Sequence, residues 1–149
     1  MANRILAPEA IVNTDRLLVI RYSEFYVDTA SSTTTLVDIS DSSYAHSNGT
    51  ALASVNIQRI WGSVADAGGN SDADIFWVAN EGNLFIANLV QAGTGGGSMY
   101  YDYTTGSWGG LPRAGSDTSD ATYGDIVLVT ANMSANEGVS VIIECRKNF

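Results

Sequence analysis

Residues 139–146 read Val-Ser-Val-Ile-Ile-Glu-Cys-Arg. Val139, Val141, Ile143 and Cys145 fall on one parity, and Ser140, Ile142, Glu144 and Arg146 on the other. That is the two-residue period of a strand with one buried face. Val55-Asn56-Ile57-Gln58 repeats the period. From Arg16 onward the chain is a succession of short apolar-rich runs separated by Gly, Ser, Asn and Asp, and no segment of useful length has the i, i+3, i+4 spacing of a surface helix. The expected fold is all-β: a single-domain antiparallel β-sandwich or jelly roll of about eight strands.

The expected strands cover 16–28, 33–40, 53–64, 74–79, 84–90, 98–103, 124–133 and 139–147. Residues 108–113 form a candidate edge segment, because Pro112 cannot donate to a ladder. Asn48-Gly49 is a tight-turn signal. In the first long strand Leu18, Ile20 and Tyr22 share one parity, whereas Phe25 and Val27 take the other, which predicts a bulge near Ser23 and Glu24. Residues 1–15 stand apart from the domain of residues 16–149. Ile5, Leu6, Ile11 and Val12 are apolar, yet Pro8, Asn13 and Asp15 break any period. They read as an extended N-terminal arm that needs a surface, either its own domain or a neighbouring subunit.

The chain of 149 residues carries sixteen acidic and seven basic residues, for a formal net charge of −9. Lys147 is the single lysine, and the arginines are scattered. A nucleic-acid groove needs clustered cations to neutralise phosphates, so no nucleic-acid partner is expected. An acidic surface disfavours anionic lipid, and no apolar run approaches a membrane span. Pro8 and Glu9 interrupt the opening MANRILAPEAIV, so a secretory signal is not expected. Cys145 is the sole cysteine and reads as a small buried hydrophobe.

Reactive constellations are scarce. His46, the one histidine, lies in a Ser/Asn-rich loop without a nucleophile elbow or a second ligand at zinc spacing. Glu9, Glu24, Glu81, Glu137 and Glu144 are dispersed. The glycine-rich residues 93–98 lack the Lys-Ser/Thr and helix of a phosphate loop. Asp66, Asn70, Asp72 and Asp74 place oxygen ligands near tight glycine turns, a weak calcium candidate without the closing Glu of an EF-hand. No catalytic residue and no cofactor are assigned, and the chain is read as a non-enzyme.

Several strands are apolar on both parities: Ile75-Phe76-Trp77-Val78, Leu84-Phe85-Ile86 and Ile126-Val127-Leu128-Val129. A two-sheet sandwich buries one face of each sheet, so an apolar outer face implies cover from a loop, the arm, or another subunit. Tyr100, Tyr101 and Tyr103, with Trp108 nearby, form an aromatic cluster beside Gly-rich loops.

The opening ANRILAPEAIVNTDRLLVIRY (2–22), the middle VNIQRIWGSV (55–64) and the ending YGDIVLVTANMSANEGVSVIIECRK (123–147) resemble small virion proteins of tailed bacteriophages, in particular the β-sandwich decoration (cement) proteins on the outside of phage heads. The resemblance implies a non-enzymatic protein that binds the major capsid protein and cross-bridges the lattice. It implies a homo-oligomer, a trimer among the arrangements open to it, assembled in the bacterial cytoplasm and located on the virion head surface. Ile5, Leu6, Ile11 and Val12 of the arm, with Trp61 and Trp108, are the expected contact residues. The alternative is a carbohydrate- or receptor-binding sandwich module such as a tail-fibre domain, with Tyr100, Tyr101, Tyr103 and Trp108 as a stacking platform. A glycan array separates the two.

Overall fold

The computed structural model describes residues 3–28, 30–65, 71–79, 82–90, 97–105 and 124–149. Among them are nine strands: β1 (Arg4–Asn13), β2 (Leu17–Phe25), β3 (Ala30–Val37), β4 (Ser54–Ala65), β5 (Asp72–Trp77), β6 (Leu84–Asn88), β7 (Gly97–Asp102), β8 (Ile126–Met133) and β9 (Gly138–Asn148). The only helical turn among the described residues is the 3-10 turn Ser42–Tyr44, capped by the Asp41 carboxylate, which accepts from the Ser43 amide. The expected edge segment at 108–113 lies outside the described residues.

The pairing has a simple rule. β2 pairs with β9, β3 with β8, β4 with β7 and β5 with β6, each antiparallel, as though one long hairpin had been folded at the β5–β6 connection. Rolling that hairpin up adds β4 against β9 and β5 against β8. The result is two antiparallel sheets, β1-β2-β9-β4-β7 and β3-β8-β5-β6. This is the jelly roll, with β1 added at one edge.

The parity read from residues 139–146 holds. Val139, Val141, Ile143 and Cys145 are buried between the sheets, together with Leu18, Ile20, Ile57, Ile60, Ile75, Trp77, Ile126 and Leu128. The expected bulge at Ser23 and Glu24 is not there. The β2–β9 register runs unbroken from Leu17↔Arg146 to Phe25↔Gly138. Leu18, Ile20, Tyr22, Glu24 and Tyr26 all point inward, and the apolar pattern breaks only because the fourth inward residue is a glutamate. A bulge does occur in β4, between Ile57 and Arg59, where inward positions change from Val55 and Ile57 to Ile60 and Val64.

Glu24 is 4% exposed and fully partnered. Its Oε2 accepts from the hydroxyls of Tyr22 (2.8 Å), Tyr26 (2.9 Å) and Ser32 (3.1 Å), and its Oε1 from the Asn3 amide at 3.3 Å. The Tyr26 hydroxyl also meets Thr130 Oγ1 at 2.5 Å. Because Ser32 and Thr130 belong to the other sheet, this cluster ties the two sheets together by polar contacts at one end of the core. A buried carboxylate is tolerated only with such saturation.

Burial pushes the Tyr22 and Tyr26 phenols above their usual 10.0. The Glu24 charge adds to this, and hydroxyls of Thr34 at Tyr22 and of Ser32 and Thr130 at Tyr26 oppose it. Burial likewise raises the Cys145 thiol above its usual 9.0. A group with a raised folded pKa holds its proton in the folded state after the unfolded chain has lost it. Stability is therefore retained below the unfolded pKa and falls as pH rises past it. Burial raises Tyr44 and Tyr103 as well, and Lys147 acts in the opposite sense, because desolvation lowers its pKa, but it is one group against five. The urea midpoint is expected to fall steadily between about pH 8 and about pH 11, with tyrosinate absorbance rising with unfolding rather than before it.

Gly62 faces inward on β4, and a Cβ built there would lie 2.5 Å from Leu89 Cδ2 and 3.1 Å from Leu89 Cδ1. Leu89 is fully buried, so it has little freedom to retreat. Gly62→Ala is expected to destabilise the protein by about 1–3 kcal/mol through overpacking. Leu89→Ala, which alone should cost about 2–5 kcal/mol, should cost less in the Gly62→Ala background in urea denaturation, because the two positions share one space.

Candidate binding face

The residues read as the arm are extended as expected, and nearly their whole length is hydrogen-bonded to β2 as edge strand β1. Register shifts fall between Leu6 and Glu9, around Pro8, and between Ala10 and Val12. The boundary near residue 15 is a turn in which the Thr14 amide donates to the Leu17 carbonyl at 2.8 Å. Ile5, Leu6 and Ile11 remain 60%, 46% and 45% exposed. Val12 is half-buried and registers with Val19 of β2, so of the four expected contact residues of the arm it is the one engaged within the domain.

The outer face of the five-stranded sheet can be reconstructed from register alone. One row runs Glu9, Arg21, Ile142, Trp61, Tyr100, from β1 to β7. The next runs Leu6, Ser23, Ser140, Ser63, Ser98. The side chains of the first row are long and those of the second mostly short, so the surface dips between them. A hollow of about 390 Å³ is lined by Trp61, Tyr100, Arg21, Ser63, Ser98 and Ser140, among others. It adjoins a second of about 480 Å³ that shares Ser23, Ser63 and Ser140 and extends past Leu6 and Phe25.

Trp61 and Tyr100 are cross-strand partners with ring centroids 5.6 Å apart and planes tilted by 36°. Both are exposed, at 37% and 54%. The arginines beside them are already engaged. Arg21 Nη2 lies 2.7 Å from Glu9 Oε2, and Arg59 lies 2.7 Å from Glu144 Oε1 and 3.7 Å from Asp102 Oδ2. The Thr104 hydroxyl and amide hold the Asp102 carboxyl below the usual carboxylate range, and Arg59 adds to this. The Ser23 and Ser140 hydroxyls meet at 2.8 Å.

The three-tyrosine platform does not exist. Strand periodicity sends Tyr100 outward and Tyr101 inward, where its hydroxyl donates to the Asn88 carbonyl at 2.7 Å. Tyr103 stacks on Tyr101 at 6.3 Å with planes 5° apart, and both pack against the core. Trp108 lies outside the described residues. The aromatic pair on this face is therefore Trp61 with Tyr100, which are 39 positions apart in sequence (100 minus 61).

Of the calcium candidates, Asp66 and Asn70 lie outside the described residues. Asp72 and Asp74 both accept from the Asn88 side-chain amide, at 2.5 and 2.7 Å. Burial raises the Asp74 pKa, and the neighbouring Asp72 charge adds to it. No group of three or more His, Cys, Asp or Glu side chains capable of holding a metal occurs among the described residues. His46 Nε2 lies 3.7 Å from Asp15, with its ring edge-on to Phe149, and Cys145 is enclosed in the core.

On the outer face of the four-stranded sheet, Phe76 and Phe85 meet edge to face at 5.9 Å, and Phe85 is 61% exposed. Val127, in register with Phe76, is buried. No helix among the described residues is long and apolar enough to cross a membrane.

No family model matches the chain, and no curated protein matches it. The features on which a function can be built are this face and the β1 edge.

Proposed function

We propose that the protein is a non-enzymatic virion component, a decoration protein that binds the outside of a phage head and stabilises the capsid lattice. The observation that carries the reading is the β1 edge. Its outer side offers backbone donors and acceptors that no other strand of the described residues takes up, and it displays Ile5, Leu6 and Ile11. An exposed apolar edge strand is a liability in a free monomer and an asset in an assembly. The resemblance of residues 2–22, 55–64 and 123–147 to head decoration proteins supports the same reading. A jelly roll hosts many functions, so the fold alone does not choose among them.

On this reading the major capsid protein is the partner of β1, and the protein acts as a homo-oligomer on the head surface, with a trimer one arrangement open to it. Trp61 is a second contact residue on the adjoining face. Mass spectrometry of purified particles, with copy number, tests the assignment. The expected result is a stoichiometric head component that is released with heads and not with tails. Absence from the particle, or a copy number matching tail fibres, overturns it.

A further inference from the structure

We propose that the hollow beside Trp61 and Tyr100 is a binding site for an uncharged glycan, a short chain of pyranose rings. The proposal departs from the capsid reading at Trp61, which it makes a sugar-stacking ring and not a lattice contact, and it leaves the free edge of β1 to that reading.

The wall of the hollow calls for an apolar surface. Trp61 and Tyr100 lie side by side with their rings half in solvent, and Ile142 continues the wall in the same row. The C–H face of a pyranose is flat and apolar enough to lie on such rings, while its rim carries hydroxyls. The floor calls for those hydroxyls. Ser63 and Ser98 make no side-chain hydrogen bond among the described residues, and both line the hollow. A hydroxyl donates and accepts, as does a sugar hydroxyl. A purely apolar occupant would bury these groups without partners, at a cost in affinity.

At the aromatic wall charge disfavours an anionic occupant, and the adjoining hollow adds one cation, Arg4, at its far end. Both arginines near the aromatic wall are committed, Arg21 to Glu9 and Arg59 to Glu144 and Asp102, and the chain carries a net charge of −9. A sulfated, sialylated or uronic-acid glycan would have to displace a carboxylate to gain a cation at the aromatic wall. The length of the depression suits more than one ring. The hollow of about 390 Å³ lies within the range of small-molecule sites, and it runs on into the 480 Å³ hollow through Ser23, Ser63 and Ser140. Four serines on four adjacent strands span about 14 Å at the usual strand spacing, a length suited to an oligosaccharide.

The test uses the full-length protein on an array of neutral hexose and pentose oligosaccharides together with sialylated, sulfated and uronic-acid glycans. Any neutral ligand found is then titrated by calorimetry against wild type, Trp61→Ala, Tyr100→Ala and Ser63→Val. Thermal melts of each variant confirm that it is folded, and the exposure of the two aromatic rings makes that the expected outcome. Support consists of a neutral oligosaccharide that binds wild type and loses about tenfold or more in affinity in each aromatic variant, with Ser63→Val weakening it as well. Three outcomes overturn the proposal: no neutral glycan bound at millimolar concentration, binding confined to acidic glycans and lost in salt, or neutral binding unchanged by Trp61→Ala. Loss of head attachment in Trp61→Ala without any glycan binding would likewise overturn it, making the hollow a protein contact.

Discussion

Replacing Ile5, Leu6 and Ile11 together by threonine is expected to weaken binding to heads lacking the protein by roughly thirty- to a thousandfold per contact, while leaving the fold intact. About half of each side chain is still in solvent in the isolated chain. Burying that remainder is worth roughly 2–4 kcal/mol over the three residues, taking half of the usual 1.5–3 kcal/mol for full burial of each. A multivalent lattice would amplify the loss. Threonine keeps the strand propensity, and exposed substitutions usually move stability by less than about 0.5 kcal/mol each. Co-sedimentation with heads and urea denaturation of the same variant read the two effects separately. Unchanged head binding would leave β1 without its proposed role, and an unfolded variant would make these side chains part of the core. Deleting residues 2–13 is the poorer experiment, because it also strips β2 of its hydrogen-bonding neighbour.

Glu24→Ala is expected to be among the most damaging single changes in the chain, at about 2–4 kcal/mol. It removes the acceptor for the Tyr22, Tyr26 and Ser32 hydroxyls and leaves a space in the core. Thr34 and Thr130 can take over some of those hydrogen bonds, which keeps the loss below that of an abandoned buried charge. At this chain length the melting temperature should drop by about 5–15 °C. Glu24→Gln retains the shape and one acceptor oxygen, so about half the loss is expected. Because the cluster joins the two sheets, Glu24→Ala and Ser32→Ala should be strongly non-additive. Additive losses would mean that the hydroxyls re-pair without the carboxylate, and that the sheets are held together by apolar packing alone.

The two-residue period made the sheets readable wherever the inward residues are apolar, as at Val139 to Cys145. It misled at β2 because a pattern of apolar letters cannot distinguish an extra residue from an inward glutamate. The partners that make Glu24 tolerable are Tyr22, Tyr26, Ser32 and Asn3, the last 21 positions away, and Tyr26 and Ser32 are held in turn by Thr130 of the other sheet. The β1 strand was hard to read for a different reason: an edge strand with solvent on both sides has no buried face, so its apolar residues keep no parity. The aromatic pair was equally hidden. Tyr100 and Tyr101 are neighbours in sequence and on opposite faces of the sheet, whereas Trp61 meets Tyr100 only through the β4–β7 register. Ser23, Ser63, Ser98 and Ser140 read singly as loop-like or solvent-facing letters, and nothing short of the full strand order aligns them.

The strand order also constrains when the fold can form. β8 sits between β3 and β5, and β9 between β2 and β4. The two strands that complete both sheets are therefore translated after the other seven. As the polypeptide leaves the ribosome, β2, β3, β4 and β5 each wait with an open side for a partner not yet made. Among the described strands, the hairpins β1–β2 and β5–β6, and then the longer-range pair β4–β7, can form before β8 and β9 are made. Such a nascent chain spends most of its synthesis with apolar strands exposed, and its final collapse must close several long loops together, a slow and aggregation-exposed route. Yield in the cell should accordingly depend on translation speed through the stretch that encodes β8 and β9 and on chaperones that shield the waiting strands.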